Sequence, residues 1–308
     1  MDVVTAIEGG LVVSCQAPEG HPLRDPRTIA LLARCAELGG AAGLRVNGPE
    51  DVRAVKAVTG LPLIGLAKVP RPHARPLITP TFALCEALVR AGADVVALEV
   101  TAEAEPEAGD LPSLVERVWK ELGVPVMADV STAEEGLLAW SRGAALISTT
   151  LSGYTPYTAP APTLDSTPAP VGNPAATPTP TARDTVPAPS STTTDPAVTR
   201  SSPTDPAVTR SSTTTDPAAP LRAAADSTSR PGTGAAPRPG LPHEPDLDLV
   251  GELAALGVRT VAEGRLRTDA HVAEAFARGA WSVVIGAAIT DPLALTRHLT
   301  AATPRASR

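Results

Sequence analysis

The chain has 308 residues, a net charge of −7 and 43% hydrophobic residues. Net acidity argues against nucleic acid as the main partner, and no uninterrupted apolar run is long enough to span a membrane. The N-terminal MDVVTAIEGG lacks a basic region before an apolar one, so no export signal is read and a cytoplasmic protein is expected.

A continuous apolar strand is expected over residues 11–16 (LVVSCQ). A Pro/Gly-rich loop and a helix over 28–38, closed by Gly39-Gly40, follow. The second strand covers about 42–47, and Pro49 opens a helix reaching Val58. The third strand, 61–68 (LPLIGLAK), is an apolar run that ends on Lys68. A proline-rich loop with Arg71, His73 and Arg75 covers 69–79. A helix over 80–90, a strand over 95–100 and a helix over 111–122 come next. The strand over 125–130 ends near Asp129. Ser131 or Thr132 then caps a helix with Glu134-Glu135 in its first turn. The sixth strand covers 144–150. After a biased segment come a helix opened by Pro245-Asp246, a strand over 259–263, a helix over 268–278 and a strand over 281–287. The last helix opens at Asp291-Pro292.

Residues 155–244 are mostly Pro, Thr, Ala and Ser, and TDPAVTRSS occurs twice within them, at 194–202 and 204–212. Such composition cannot bury enough apolar surface to offset its ordering entropy, so a disordered insertion after the sixth strand is expected. Without its 90 residues the chain has 218. Eight strands, each followed by a helix and nearly all continuously apolar, require cover on both faces. Eight such units in this length favour a closed (β/α)₈ TIM barrel, an α/β fold formed by residues 1–154 and 245–308.

Polar residues at the C-terminal strand ends line the site of such a barrel. The exits carry Gln16, Arg45, Lys68, Glu99, Asp129, Thr149, Glu263 and Gly286. Lys68 and Glu263 form a candidate acid/base couple across the mouth. Burial would lower the lysine pKa and a nearby carboxylate would raise it, so the sequence leaves open which of the two is the base. Gly264, Gly286 and Ala287 follow the last two strands, where small residues admit backbone N–H groups to a phosphate. Arg45 suits a sugar hydroxyl, a phosphate or a carboxylate, Asp129 suits substrate or a helix cap, and Thr149 and Arg265 complete the expected substrate-contacting set. Cys15, Cys35 and Cys85 lack CxxC spacing and read as core residues of a reducing compartment. His21, His73, His243, His271 and His298 show no metal spacing and read as loop or surface residues, so no metal is expected.

Eight segments together resemble the bacterial N-acylglucosamine-6-phosphate 2-epimerases: GGLVVSCQ (9–16), LPLIGLAK (61–68), AGADVVAL (91–98), MADVST (127–132), STTLSGYT (148–155), EPDLDLV (244–250), VAEGR (261–265) and GAWSVVIGAAIT (279–290). The resemblance covers the chain outside the biased segment, in order. It implies a phosphate-binding barrel that interconverts N-acetylmannosamine 6-phosphate and N-acetylglucosamine 6-phosphate in sialic acid catabolism, with no redox cofactor or metal. It places the family's catalytic lysine on Lys68, its conserved glutamate on Glu263 and its substrate contacts on Gln16, Arg45 and Asp129. The expected partner is a small phosphorylated amino sugar, with no nucleic acid and no membrane, and a homodimer is compatible with the sequence.

This chain departs from the family pattern at Val69-Pro70, where a charged pair is usual, and at Glu99-Val100-Thr101, where Asp-Gly-Thr with a nearby arginine is usual. It also departs at Ala287 and Asp291, where serine and arginine are frequent, so weaker phosphate binding is expected there. Two alternatives stand beside epimerisation. One is a phosphosugar isomerase or aldolase using Lys68 as a Schiff base. The other is a non-catalytic phosphosugar-binding barrel.

Overall fold

A computed structural model describes residues 2–104, 110–159 and 244–303. The repeat and the rest of 160–243 lie outside the described residues, and so does the expectation of disorder placed on them. Among the described residues are ten strands: β1 Leu11–Cys15, β2 Gly43–Asn47, β3 Leu63–Leu66, β4 Lys68–Arg71, β5 Ala74–Ile78, β6 Val95–Glu99, β7 Val126–Asp129, β8 Leu146–Ser148, β9 Thr260–Glu263 and β10 Ser282–Ile285. Eight of them close into a parallel barrel, β1-β2-β3-β6-β7-β8-β9-β10 and back to β1, while β4 and β5 form a separate antiparallel pair. The fold is a (β/α)₈ barrel. Among the described residues no helix is long and apolar enough to cross a membrane.

The helices are α1 Val3–Ala6, α2 Pro26–Leu38, α3 Pro49–Lys56, α4 Phe82–Ala91, α5 Leu111–Arg117, α6 Ala133–Ser141, α7 Leu247–Ala255, α8 Asp269–Ala277, α9 Ala287–Thr290 and α10 Pro292–Ala301. Local chemistry sets their starts. Asp25 accepts from Thr28 N, so α2 begins at Pro26, earlier than the apolar period suggests. Thr132 and Glu135 form a reciprocal capping box at α6. The helix expected over 111–122 changes to a wider π-type turn at Val118–Leu122.

Period-two alternation divides the strand residues between two layers. Val13, Cys15, Leu44, Val46, Val96, Leu98, Val126, Ala128 and Ile147 pack outward against the helices. Val12, Ile64, Leu66, Val95, Ala97, Met127, Leu146, Val261 and Val284 fill the interior with Val4 and Ile7 from the N-terminal turn. Gly43 makes room for this plug, since a Cβ there would lie 2.9 Å from Ile7 Cγ2. One step further along the strands the inward positions turn polar, with Ser14, Arg45, Glu99, Asp129 and Ser148 all buried. The apolar lower barrel is thus a floor beneath a charged upper layer.

The loop expected at 69–79 is instead largely the β4–β5 hairpin, with Lys68 paired to Ile78, Val69 to Leu77 and Arg71 to Ala74. His73, at φ +57, makes its turn. Residues 155–159, expected to belong to the insertion, pack on the barrel. Thr155 is fully buried, and Tyr157 donates to Glu135 at 2.5 Å. The two described ends around 160–243 are also tied together. Ser152 Oγ donates to Asp246 at 2.6 Å, and Arg265 donates to the carbonyls of Glu244 and Ser152 at 2.6 and 2.9 Å.

Replacing 160–243 by a short Gly/Ser linker should therefore leave the barrel folded, because loop-closure entropy changes slowly with length. Removing 155–243 should cost about 1–3 kcal/mol more, through the lost Thr155 and Tyr157 bonds. Urea unfolding of the two deletions checks this, and equal stabilities would contradict it.

Candidate active site

Arg45 leaves β2 facing inward and is 2% exposed. Its Nη2 donates to Asp129 Oδ2 at 2.5 Å, and its Nη1 donates to Glu263 Oε1. One guanidinium thus bridges β7 and β9 across the upper barrel. Thr150 Oγ1 donates to Asp129 Oδ1 at 2.7 Å and lies 3.0 Å from Glu263 Oε2, which Ser148 Oγ also reaches at 3.2 Å. Burial works against the Arg45 charge, but Asp129 and Glu263 outweigh it and raise the arginine pKa further. Burial pushes the Asp129 carboxyl up to about 7, with Glu263 adding to the rise and Arg45 opposing it.

Lys68 opens the hairpin at the exit of β3, on the same rim. Its backbone N–H donates to Asn47 Oδ1 at 2.8 Å. Its amine makes no hydrogen bond or ion pair to a described residue. The residue is open to solvent, yet protein packed around the amine lowers its pKa below the ordinary 10.5. Arg45 acts in the same direction, and Glu263 and Asp129 partly oppose it. Gln16 donates Nε2 to Ser14 Oγ at 2.7 Å. Its buried Oε1 has no partner, and neither has Arg45 Nε. The site therefore offers one free amine, one orphan acceptor and one orphan donor around two carboxylates that share a single guanidinium. At the next corner, Gly264 takes φ +103 and Gly286 caps the short helix α9, whose first amides have no intrahelical acceptor.

The profile of a family described as "Putative N-acetylmannosamine-6-phosphate epimerase" matches residues 29–166 and 233–304. The chain belongs to this family. Two relatives are titled "Putative N-acetylmannosamine-6-phosphate 2-epimerase". That of Caldanaerobacter subterraneus is 32% identical over 97% of this chain and 92% of its own length. That of Thermosynechococcus vestitus is 45% identical over 53% of this chain and 70% of its own. The solved N-acetylmannosamine-6-phosphate 2-epimerase of Clostridium perfringens aligns with a TM-score of 0.67 at 26% identity, covering 97% of this chain and 96% of that one.

Within this epimerase-family barrel, Lys68, Arg45, Asp129, Glu263 and Gln16 come to one mouth, while the side chains of Thr149 and Arg265, at the same strand ends, are bonded to backbone. Thr149 is buried, and its hydroxyl bonds the backbone carbonyl and N–H of Glu263 at 3.0 and 3.2 Å. The inward hydroxyl is that of Thr150, which shares the strand parity of Leu146 and Ser148. Arg265 donates to the backbone carbonyls of Glu244 and Ser152, and its guanidinium stacks 5.2 Å from the Tyr154 ring centroid. A Cβ at Gly153 would meet that guanidinium at 2.9 Å.

The departures from the family pattern also resolve into contacts. Asp291 caps α10 through Ala294 N at 2.8 Å, and its Oδ1 meets His21 Nε2 at 3.3 Å. His21 is thus a loop residue between β1 and α2, as expected, with its ring partly enclosed against Asp291. Glu99 is neutralised by Arg75. Ala287 stands exposed in the first turn of α9.

Arg45→Met should cost about 3–5 kcal/mol in urea unfolding at pH 7, because two enclosed carboxylates lose their shared cation. A loss below 1 kcal/mol would mean that the bridge does not form in solution.

Asp129 sets a pH slope. Its folded pKa lies above the ordinary 3.8, so the folded chain binds the proton more tightly. The stability this proton contributes is full below about pH 4 and is lost as pH rises towards 7. Asp129→Asn should remove that slope, so that the variant gains relative to the parent between pH 4 and 7. Parallel stability curves would contradict it.

Proposed function

We propose that this barrel epimerises C2 of N-acetylmannosamine 6-phosphate to give N-acetylglucosamine 6-phosphate, and the reverse, with Lys68 as the base. The observation that carries the reading is the uncommitted Lys68 amine, lowered in pKa, beside carboxylates that are already engaged. Both Glu263 oxygens accept hydrogen bonds, which leaves the amine as the freer proton acceptor.

The C2 hydrogen is acidic when C1 is a carbonyl, in the open-chain sugar. Neutral Lys68 takes that proton and becomes an ammonium, while the C–H electron pair passes into an enolate. Arg45 Nε, without an acceptor in the fold, supplies a donor to the developing oxyanion. Gln16 Oε1 suits the acetamido N–H, since it too is buried and unpaired. A water on the opposite face gives C2 its new proton and so inverts it, and the hydroxide left behind takes the proton from the solvent-open Lys68 ammonium, which restores the neutral amine. The amides at Gly264 and α9 suit the phosphate. Metabolism of amino sugars gives the reaction its setting, and the cytoplasm is its expected compartment.

Proton NMR of N-acetylmannosamine 6-phosphate with the protein in D₂O tests this. Both sugars should acquire deuterium at C2, and Lys68→Met should slow that exchange by roughly 10²–10⁴-fold without unfolding the barrel. Turnover without deuterium, or full activity in the variant, would defeat the assignment.

A further inference from the structure

The β4–β5 hairpin begins at the proposed base. Its strands expose much of their surface, and a two-stranded hairpin is at best marginally stable alone. Hydrogen bonds and an ionic contact hold this one to the barrel, in addition to the Lys68 N–H bond to Asn47 Oδ1. Thr79, fully buried and at φ +49, exchanges bonds with Ala67: Thr79 N donates to Ala67 O at 2.7 Å, and Ala67 N donates to Thr79 Oγ1 at 2.9 Å. The same hydroxyl donates to Ala97 O on β6 at 2.7 Å. Ile78 N donates to Glu99 Oε2 at 3.2 Å.

The remaining contact is ionic. Arg75, on the returning strand, forks onto Glu99 with contacts of 2.5 and 3.0 Å. Glu99 is the last residue of β6 and 1% exposed. Arg75 also reaches Glu103 at 2.8 and 3.1 Å, and Arg71 on the outgoing strand meets Glu103 at 2.8 Å. β3 pairs with β6 in the barrel. The hairpin that continues β3 is therefore clamped to the exit of the neighbouring strand. A paired guanidinium–carboxylate fork fixes direction as well as distance.

We propose that Arg75 and Glu99 act as positioning residues, locking the β4–β5 hairpin so that the Lys68 amine points into the barrel mouth. The inference rests on the epimerase reading for its consequence in catalysis, but the lock itself is a property of the fold. Neither residue needs to touch the sugar. Their effect passes through the Lys68↔Ile78 pairing and the Ile78–Glu99 bond.

Lys68 shares the strand parity of Ile64 and Leu66, which fill the barrel interior, and the charges of Arg45 on β2, Glu263 on β9 and Asp129 on β7 act on its amine. A loosened hairpin would let it swing away from them into water. The chain has three lysines, Lys56, Lys68 and Lys120. Lys56 and Lys120 pair on the surface with Asp94 and Glu116, so they serve as internal references.

The test is competitive acetylation of the full chain across pH, read at each lysine by mass spectrometry, for the parent, Arg75→Gln, Glu99→Gln and Arg75→Lys. In both glutamine variants the Lys68 labelling midpoint should rise towards the ordinary lysine value, with Lys56 and Lys120 unmoved. kcat should fall roughly 10- to 100-fold with KM nearly constant, as for a misplaced catalytic group. Arg75→Lys keeps the charge without the fork and should fall in between. If the glutamine variants do not fold, the lysine variant decides by its own Lys68 midpoint. Folded variants with an unshifted Lys68 midpoint and parental kcat would overturn the proposal. A shifted midpoint in a protein that never epimerises would uphold the lock and reject the epimerase reading.

Discussion

Arg45 is the charge around which the upper barrel is arranged. It sits almost wholly inside the fold, and a lone cation there would be costly to desolvate. Asp129 and Glu263 offset that cost from two strands on the far side of the ring. They need the cation equally, since two carboxylates this close resist joint ionisation. The bridge joins residues 84 and 218 positions apart in sequence. It forms only when β2, β7 and β9 stand in their closed order, so barrel closure and site assembly are one event.

The same bridge decides what is left for chemistry. Arg45, Ser148 and Thr150 occupy the oxygens of Glu263, whereas the Lys68 amine stays uncommitted at the rim. An amine that is free, crowded by protein and close to a fixed cation is easier to deprotonate than a surface lysine. The apolar floor of Ile64, Leu66, Met127 and Leu146 closes the barrel below, so substrate has access only from the end where these groups meet. The Arg75–Glu99 contact adds a second ionic constraint, applied to the backbone that carries the amine.

Much of this was legible in the sequence because parallel barrels write themselves in a simple code. Strands covered on both faces appear as unbroken apolar runs, and their polar exits converge on one rim. That code placed Gln16, Arg45, Lys68, Asp129 and Glu263 at one mouth. It failed where side-chain direction mattered more than position. Thr149 and Thr150 are adjacent, and only the inward parity set by Leu146 and Ser148 separates them. Arg265 reads as a substrate contact, but it takes φ +60 after Gly264 and its guanidinium meets the carbonyls of Glu244 and Ser152. The hairpin was hidden by Pro70, Pro72 and Pro76, which read as loop. The alternating polar and apolar residues around Pro72-His73 were the available signal. The pairing of Arg75 with Glu99, across 24 positions, left no mark in local pattern.

We infer that Arg45 and its hydroxyl partners hold Glu263 while Lys68 moves the proton. The most direct measurement is C2 proton exchange with D₂O, followed separately from epimerisation, in Glu263→Gln and Lys68→Met. The account predicts that Glu263→Gln still washes out the C2 proton even where inversion is slowed, whereas Lys68→Met does neither. Exchange that survives in Lys68→Met and is lost in Glu263→Gln would contradict it.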